Sequence, residues 1–313
     1  MTPNRALGHR LANAVQTVAL LAAMAALAGY LGWTLLGAEG LVWAVLVAAV
    51  AMALGSGASP RLVLRLSGAF ELAPQQAPGL YRLVAALAGR AGLPRAPRLC
   101  YVPTRVLNAF ATGGRDQSAI AVTDGLIRSL DTREIAGVLA HEIAHLRARD
   151  VWVMTLADVV GRMTGVLSFF GVLLLVMLLP LAAASGMRIP LLPLAVMIFA
   201  PVVSTALQLA LSRTREYDAD IAAAELTGDP RGLAAALDKL ERLQGGWMER
   251  MFMSRAPRWL RTHPDLHERI RRLLSLEAAQ PPRFDLPDYA EDPFFGRPVV
   301  VRAPRWRWPG LWY

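Results

Sequence analysis

Cysteine, lysine and charge are all scarce in this sequence. Its 313 residues include a single cysteine, Cys100, which excludes an internal disulfide and a zinc site built from cysteines. Charged residues make up 18% of the chain and apolar residues 55%, whereas soluble domains carry about 25% charged and about 45–50% apolar residues. The mean hydropathy of +0.38 agrees with this imbalance. These values exclude a disordered chain, a fibrous repeat and an ordinary soluble enzyme.

The scarce charges leave four long apolar runs. Two lie near the start of the chain, Leu11–Ala38 and Gly40–Pro60, and two lie later, Met163–Met187 and Ile189–Ser212. Each run exceeds the roughly 20 residues that a helix needs to cross about 30 Å of hydrocarbon. The pattern predicts four transmembrane helices arranged as two hairpins. The alternative is that some of these runs are buried helices of a soluble fold.

The placement of arginine predicts the orientation of these spans. Arg5 and Arg10 precede the first run and Arg213 and Arg215 follow the fourth, whereas the tip of the second hairpin offers only Arg188. Because positive residues concentrate on the cytoplasmic side of a membrane, both termini and the segment between the hairpins are expected in the cytoplasm. The formal net charge of +9 comes mostly from residues that flank the apolar runs. It is therefore expected to interact with a membrane surface, and no nucleic acid partner is expected.

The segments outside the apolar runs have the patterns of an α+β domain. The apolar spacing of Pro78–Ala91 predicts a helix, and the short runs Arg98–Val102 and Ser118–Thr123 predict a hairpin or a small sheet. Asp131 and Glu134 form a capping-box pattern, which predicts the start of a further helix. Later helical patterns cover 212–226, 230–244 and 267–278. The expected fold is a mainly α integral membrane protein with a small β-sheet.

The clearest chemical pattern is His141-Glu142-Ile143-Ala144-His145. Residues four apart share one face of a helix, so both imidazoles can bind one metal ion, with Glu142 as the general base. The alternative is a pair of histidines on a solvated helix turn. The neighbouring apolar side chains oppose that alternative, because buried imidazoles and a buried carboxylate need partners, and a zinc ion supplies them.

His141–His145 resembles the metal motif of the HtpX-like membrane zinc endopeptidases, relatives of the CAAX prenyl endopeptidase and the mitochondrial Oma-type proteases. Further pieces match the same family in the same order: Asn108–Gly113, Thr123–Leu126, Ser212–Asp220, and Thr262–Pro264 with Arg269. The resemblance extends from the first hairpin to about Leu276. It implies a zincin-like metalloprotease domain, one Zn²⁺ per chain and a multi-pass protein of the bacterial inner membrane.

The resemblance also implies the rest of the metal site. Catalytic zinc takes three protein ligands and keeps one position open, and the family pattern makes Glu216 the third ligand beside His141 and His145. Asp220 shares a helical face with Glu216 and is implied to fix the tautomer of a ligand histidine. Asp150 is a further candidate for that role or for a helix end. The alternative for Glu216 is a surface ion pair with a neighbouring arginine.

Three more residues carry over from the family pattern to the catalytic site. Asn108 and His263 are implied to orient the substrate or to contact the oxyanion, and Arg269 is the third such residue. The alternatives are that Asn108 is only a turn residue and that His263 belongs to a loop before a helix.

This set of residues predicts hydrolysis of peptide bonds. Glu142 takes a proton from the zinc-activated water and returns it to the leaving amine. The resemblance implies that membrane proteins or unfolded polypeptides, damaged or misassembled, are the substrates. The alternatives are a maturation protease with one substrate and a non-catalytic membrane scaffold with a structural metal. Ser118–Thr123 is either an edge strand to which an extended substrate adds or a core strand with no free edge.

These expectations divide the chain into six segments. They are a cytoplasmic N-terminus (1–10), a first transmembrane hairpin (11–60), the first part of the protease domain (61–162), a second hairpin (163–212), the second part of the protease domain (213–280) and a tail (281–313). The tail interleaves arginine with tryptophan, so it is expected to rest at the lipid headgroups. A disordered, solvated tail is the alternative.

Overall fold

A computed structural model describes residues 3–55, 60–114, 117–186, 191–245 and 266–276, together with two short strands at 306–307 and 311–312. His263 and most of the tail lie outside the described residues. The helices are α1 (Pro3–Gly55), α2 (Pro60–Leu66), α3 (Pro78–Arg90), α4 (Asp124–Ser129), α5 (Thr132–Ala148), α6 (Asp150–Ser185), α7 (Leu191–Thr227), α8 (Pro230–Leu240), which continues into a π-helical turn (Glu241–Gly245), and α9 (Leu266–Ser275). The strands are β1 (Phe70–Glu71), β2 (Arg98–Val102), β3 (Ala109–Gly113), β4 (Ser118–Thr123), β5 (Trp306–Arg307) and β6 (Leu311–Trp312).

Three helices of the described chain, α1, α6 and α7, are long and apolar enough to cross a membrane. They pack on one another through a small buried cluster that draws residues from all three: Met24, Ala28, Ala157, Val160 and Leu211. Their other faces carry large exposed apolar side chains, such as Phe169, Phe170 and Met177. An apolar surface of this extent is typical of a lipid-facing bundle.

The helix α1 is broken at Gly37, two residues before Glu39, which separates the first two apolar runs. Gly37 has a φ of 63° and a ψ of −146°, which is not helical. A Cβ on Gly32 would lie 2.9 Å from the carbonyl oxygen of Gly40. In a continuous helix these two residues would be about 12 Å apart. The chain therefore reverses at Gly37, and the two arms of α1 pack against each other.

The soluble part contains a four-stranded sheet with the order β1-β2-β4-β3. β2 and β4 are parallel, with Leu99 opposite Ile120, so they do not form the predicted hairpin, whereas the alternative of a small sheet is confirmed. β3 pairs antiparallel with β4 and forms the hairpin instead, with Ala111 opposite Ile120. β4 has neighbours on both sides and no free edge. β3 is the edge strand on this side of the sheet.

The helix α5 lies between this sheet and the helices α7 and α8. Asp131 and Glu134 form the predicted capping box: the side chain of each accepts a hydrogen bond from the backbone N–H of the other. Leu139 is fully buried in a core that also holds Leu83 of α3 and Ile120 of β4. Burying each such side chain contributes about 1.5–3 kcal/mol to stability. This packing holds α5 in place and so fixes the position of His141 and His145.

The single cysteine belongs to the smaller cluster under the other face of the sheet. Cys100 of β2 packs near Leu64, Val102 and Ala121 and is 2% exposed. Burial raises the pKa of its thiol to about 11. Cys100 therefore behaves as a small apolar side chain.

Candidate metal centre

His141 and His145 project from the same face of α5, one helical turn apart. Their rings meet edge to face with the centroids 4.6 Å apart, and the two Nε2 atoms are 3.1 Å apart. This is the arrangement expected for residues at i and i+4 of a helix.

Glu216 of α7 completes a group of three potential ligands. Its Oε2 lies 3.4 Å from Nε2 of His141, and its Oε1 lies 3.7 Å from Nε2 of His145. α7 approaches α5 closely where three small side chains pack together, which are Ala144, Ala219 and Ala222. A tetrahedral ion with bonds of about 2.0–2.2 Å has ligand atoms about 3.3–3.6 Å apart. The observed separations fit one ion among the three side chains.

Both imidazoles have a carboxylate behind them. Nδ1 of His145 is 2.6 Å from Oδ2 of Asp150, and Nδ1 of His141 is 3.0 Å from Oδ1 of Asp220. The second contact is close but poorly aligned for a hydrogen bond, and it is an ion pair. A carboxylate facing Nδ1 keeps the proton on that nitrogen and leaves the lone pair on Nε2. The Nε2 atoms and the Glu216 carboxylate thus converge as electron-rich atoms that need a cation between them.

The surrounding carboxylates also favour a positive charge on His141. Burial lowers the pKa of His141, but its contacts with Asp220 and Glu216 outweigh burial and raise the pKa to about 10. The residues present therefore fit a divalent cation well, since they already attract a positive charge to the point where the three side chains meet.

Asp150 reaches His145 through an unusual turn of the backbone. Arg149 ends α5 in the left-handed region, with a φ of 58°. Among the residues that the structure describes, it is the only one other than glycine with a positive φ. The next helix, α6, starts at once with Asp150. A left-handed non-glycine residue costs of the order of 1 kcal/mol or more, and such strain is common at functional sites. Here the turn places the carboxylate of Asp150 against His145 of α5.

Arg269 of α9 binds both carboxylates of α7. Its guanidinium donates two hydrogen bonds of 2.7 Å to Asp220 and lies 2.9 Å from Oε2 of Glu216. The side chain is 7% exposed. The sequence predicts a contact of Arg269 with the substrate or the oxyanion, whereas these bonds make it a partner of a potential ligand and of the carboxylate behind His141.

Glu142 is held by the edge of the sheet. The backbone N–H of Ala111 in β3 donates a hydrogen bond of 2.9 Å to its Oε2. Burial raises the pKa of Glu142, and the two neighbouring imidazoles oppose that rise. A carboxylic group with a raised pKa exchanges protons near neutral pH more readily than an ordinary glutamate.

The remaining predicted site residues are not brought to the metal group by any described contact. The side chain of Asn108 is exposed, and its backbone N–H and C=O both pair with Thr123. His263 lies outside the described residues. The sequence reasoning missed the role of Ala111, since a backbone donor carries no side-chain signal.

Comparisons with known proteins agree with this geometry. The family model Peptidase family M48 matches residues 74–277. "Protease HtpX homolog" of Burkholderia multivorans is 34% identical over 300 residues, which cover 87% of this chain and 99% of that protein. The protein of the same description from Burkholderia thailandensis is 34% identical over 303 residues, with the same coverage.

A solved structure shares the fold. The crystal structure of S. mikatae Ste24p matches with a TM-score of 0.53 and 20% identity, over 85% of this chain and 67% of that chain. At this identity the match supports the fold alone. The family match, the HtpX relatives and the apolar helices together identify a membrane-embedded metalloprotease that hydrolyses peptide bonds, and the chain belongs to peptidase family M48.

Proposed function

We propose that His141, His145 and Glu216 hold one zinc ion, and that the chain cleaves damaged or unfolded membrane proteins at the cytoplasmic face of the bacterial inner membrane. One observation carries the metal part of the proposal. Three ligand atoms lie within 4.8 Å of one another, and each histidine among them has a carboxylate on its other nitrogen. Histidines oriented in this way are typical of metal sites.

The donor set favours catalytic zinc over a structural metal. Two imidazole nitrogens and one carboxylate oxygen suit zinc, and three protein ligands leave its fourth position open. Within the described part of the chain, the potential metal group contains these three residues and no fourth. A structural zinc would need that fourth protein ligand. This argues against the alternative of a non-catalytic membrane scaffold.

Each side chain around the proposed ion has a separate role in catalysis. When bound, zinc supplies a Lewis acid that polarises the scissile carbonyl and activates a water. Glu142 accepts the proton of that water and returns it to the leaving amine. Ala111 holds the Glu142 carboxylate by its backbone N–H, so the base keeps one orientation. Asp220 and Asp150 fix the tautomers of the two histidines, and Arg269 balances the charge of Asp220 and Glu216.

The edge strand β3 supports extended binding of the substrate. In an antiparallel pair, alternate residues turn their backbone groups to the partner strand and away from it. Asn108 pairs with Thr123 of β4, whereas Ala111 points its N–H to Glu142. Ala109 and Gly113 lie in the same phase as Ala111. A polypeptide added here would be held by main-chain hydrogen bonds with little dependence on sequence, which favours unfolded substrates over one dedicated substrate.

The arms of α1, with α6 and α7, are proposed as four transmembrane helices with both termini in the cytoplasm. The division into hairpins at 11–60 and 163–212 and protease segments at 61–162 and 213–280 follows from the apolar runs. α7 continues without a break from its apolar part to Glu216, so the metal centre would lie at the membrane surface. Substrates should be cut in cytoplasmic loops or tails close to the bilayer.

The proposed function is tested with the purified full chain in detergent and an unfolded membrane protein as substrate. Cleavage should stop on addition of a chelator and return on addition of zinc. Metal analysis should give one zinc per chain. Cleavage that persists in excess chelator, with no zinc in the protein, would contradict the proposal. Cleavage of one substrate among many unfolded proteins would favour the maturation protease.

A further inference from the structure

A series of polar side chains in contact extends from His145 of α5 away from the proposed ion. Its first link is Asp150, whose Oδ2 faces Nδ1 of His145 at 2.6 Å. The other oxygen of Asp150 accepts hydrogen bonds from the guanidinium of Arg215 in α7. The side chains of Asp150 and Arg215 are 7% and 13% exposed. With both oxygens bound, the Asp150 carboxylate is fixed in the orientation that His145 needs.

This series of polar contacts extends to the first apolar helix, α1. Nη1 of Arg215 lies 3.1 Å from Oδ2 of Asp218. The amide Nδ2 of Asn13, in α1, donates a hydrogen bond to Oδ1 of the same carboxylate. Asp218 is thus bound on both oxygens, like Asp150. Since a guanidinium is a planar group with donors in fixed directions, the orientation of Asp218 constrains that of Arg215.

We propose that Asn13 is a positioning residue of the metal centre, acting through Asp218, Arg215 and Asp150 on His145. This inference rests on the proposed function, because it assumes that His145 is a zinc ligand. It makes the first apolar helix a part of the support of the site. The competing interpretation is that the bond between Asn13 and Asp218 only docks α1 on α7, and the experiment must separate the two.

The first measurement is the zinc affinity of the full chain in detergent, by competition with a chromophoric chelator. Asn13→Leu removes the amide and keeps a side chain of similar size. Residues that touch a ligand histidine change metal affinity by about 10–100-fold. For the more distant Asn13 we expect zinc binding about three to ten times weaker. The matched control is Gln16→Leu, an exposed amide on the same helix, which should leave zinc affinity unchanged.

The second measurement tests the route. In an Asp150→Asn background the link to His145 is already altered, so Asn13→Leu should change zinc affinity by less than about twofold, because coupled residues are not additive. Asn13→Gln keeps the amide donor and should restore most of the affinity. This conservative variant also shows whether a loss in Asn13→Leu comes from the missing bond or from misfolding.

The outcomes are distinct. Weaker zinc binding in Asn13→Leu, its recovery in Asn13→Gln and its disappearance in the Asp150→Asn background would support the proposal. A lower thermal stability with unchanged zinc affinity would overturn it in favour of docking alone. An equal effect in both backgrounds would exclude the route through Asp150. A wild-type chain that binds no zinc would overturn the proposed function together with this inference, whereas normal zinc binding and cleavage in Asn13→Leu would overturn this inference alone.

Discussion

The backbone N–H of Ala111 donates a hydrogen bond of 2.9 Å to Oε2 of Glu142. This bond joins the edge strand β3 to the helix that carries both histidines. A substrate strand lying along β3 would therefore keep a fixed distance from the proposed base. Positioning of this kind increases the reaction rate, because the reacting groups are already held at the distance and orientation that the reaction requires.

Glu142→Gln should abolish hydrolysis and leave the metal in place. The amide oxygen of glutamine can still accept the bond from Ala111, so the local fold is kept, but an amide takes up no proton. General acid–base catalysis of this kind contributes roughly 10²–10⁴-fold to the rate. The measurement is the rate of substrate cleavage together with the zinc content of the purified variant. A variant that cleaves at near the wild-type rate would refute the role of Glu142.

Glu216→Gln and Asp220→Asn should differ in a fixed order. If Glu216 is a ligand, its conversion to an amide leaves two histidines, too few for the usual catalytic zinc set, and zinc should be lost on dialysis. Asp220 lies behind His141, so Asp220→Asn should weaken zinc affinity or activity by about 10–100-fold without emptying the site. Metal analysis of both variants decides the order. Full zinc content in Glu216→Gln would exclude Glu216 as the third ligand.

Arg269→Met should destabilise the protein much more than Arg271→Met. The side chain of Arg269 is 7% exposed and that of its matched control Arg271 is 73% exposed. Removing one partner of a buried ion pair costs about 3–5 kcal/mol, whereas exposed substitutions usually fall within about 0.5 kcal/mol.

The free energies of unfolding of the two variants, measured in denaturant, check this difference. Zinc should restore part of the loss in Arg269→Met, because the ion supplies positive charge beside Glu216 and binds only the folded chain. Equal stability of the two metal-free variants would contradict the buried pairing.

The metal-free protein should lose stability as the pH rises. The pKa of His141 is raised from its ordinary value of 6.5 to about 10 by Asp220 and Glu216. A raised pKa gives a contribution that is fully present below about pH 6.5 and is lost as the pH rises through about 10. Thermal unfolding of chelator-treated protein between pH 6 and pH 10 measures this loss.

The zinc-loaded protein is the control for this pH dependence. Because the ion replaces the proton, the dependence should be weaker when zinc is bound. Asp220→Asn should also weaken it in the metal-free state, since one of the two carboxylates that hold the proton is gone. Metal-free protein that is more stable at pH 10 than at pH 6 would contradict the assignment.

The local parts of this structure could be predicted from the sequence. The start of α5 follows from Asp131 and Glu134, because a capping box involves only neighbouring residues. The strands β2 and β4 follow from their composition, but their partners do not. Apolar residues indicate a strand without indicating which strand it pairs with, which is why the sequence leaves both a hairpin and a small sheet open for these two strands. The segment Ala109–Gly113 consists mostly of alanine, threonine and glycine and gives no clear strand signal.

The contacts between distant segments could not be derived from local patterns. Glu216 came from family resemblance, and its approach to His141 depends on alanines of α5 and α7 that no local rule connects. The role of Arg269 near the substrate is likewise implied by the family resemblance, and its sequence position does not show the two carboxylates that bind it. The bond of Asn13 to Asp218 joins residues 205 positions apart in the sequence, and a lone asparagine in an apolar run carries no signal of a partner.

The burial of Cys100 makes the wild-type chain suitable for thiol-labelling experiments. A thiol that is 2% exposed, with a pKa of about 11, reacts slowly with maleimides at neutral pH. No cysteine has to be removed before a reporter is introduced. A cysteine in place of Glu39, which is exposed beside the reversal at Gly37, would then be the reactive thiol. A membrane-impermeant maleimide added to spheroplasts or to inverted vesicles would show directly which side of the bilayer this tip faces.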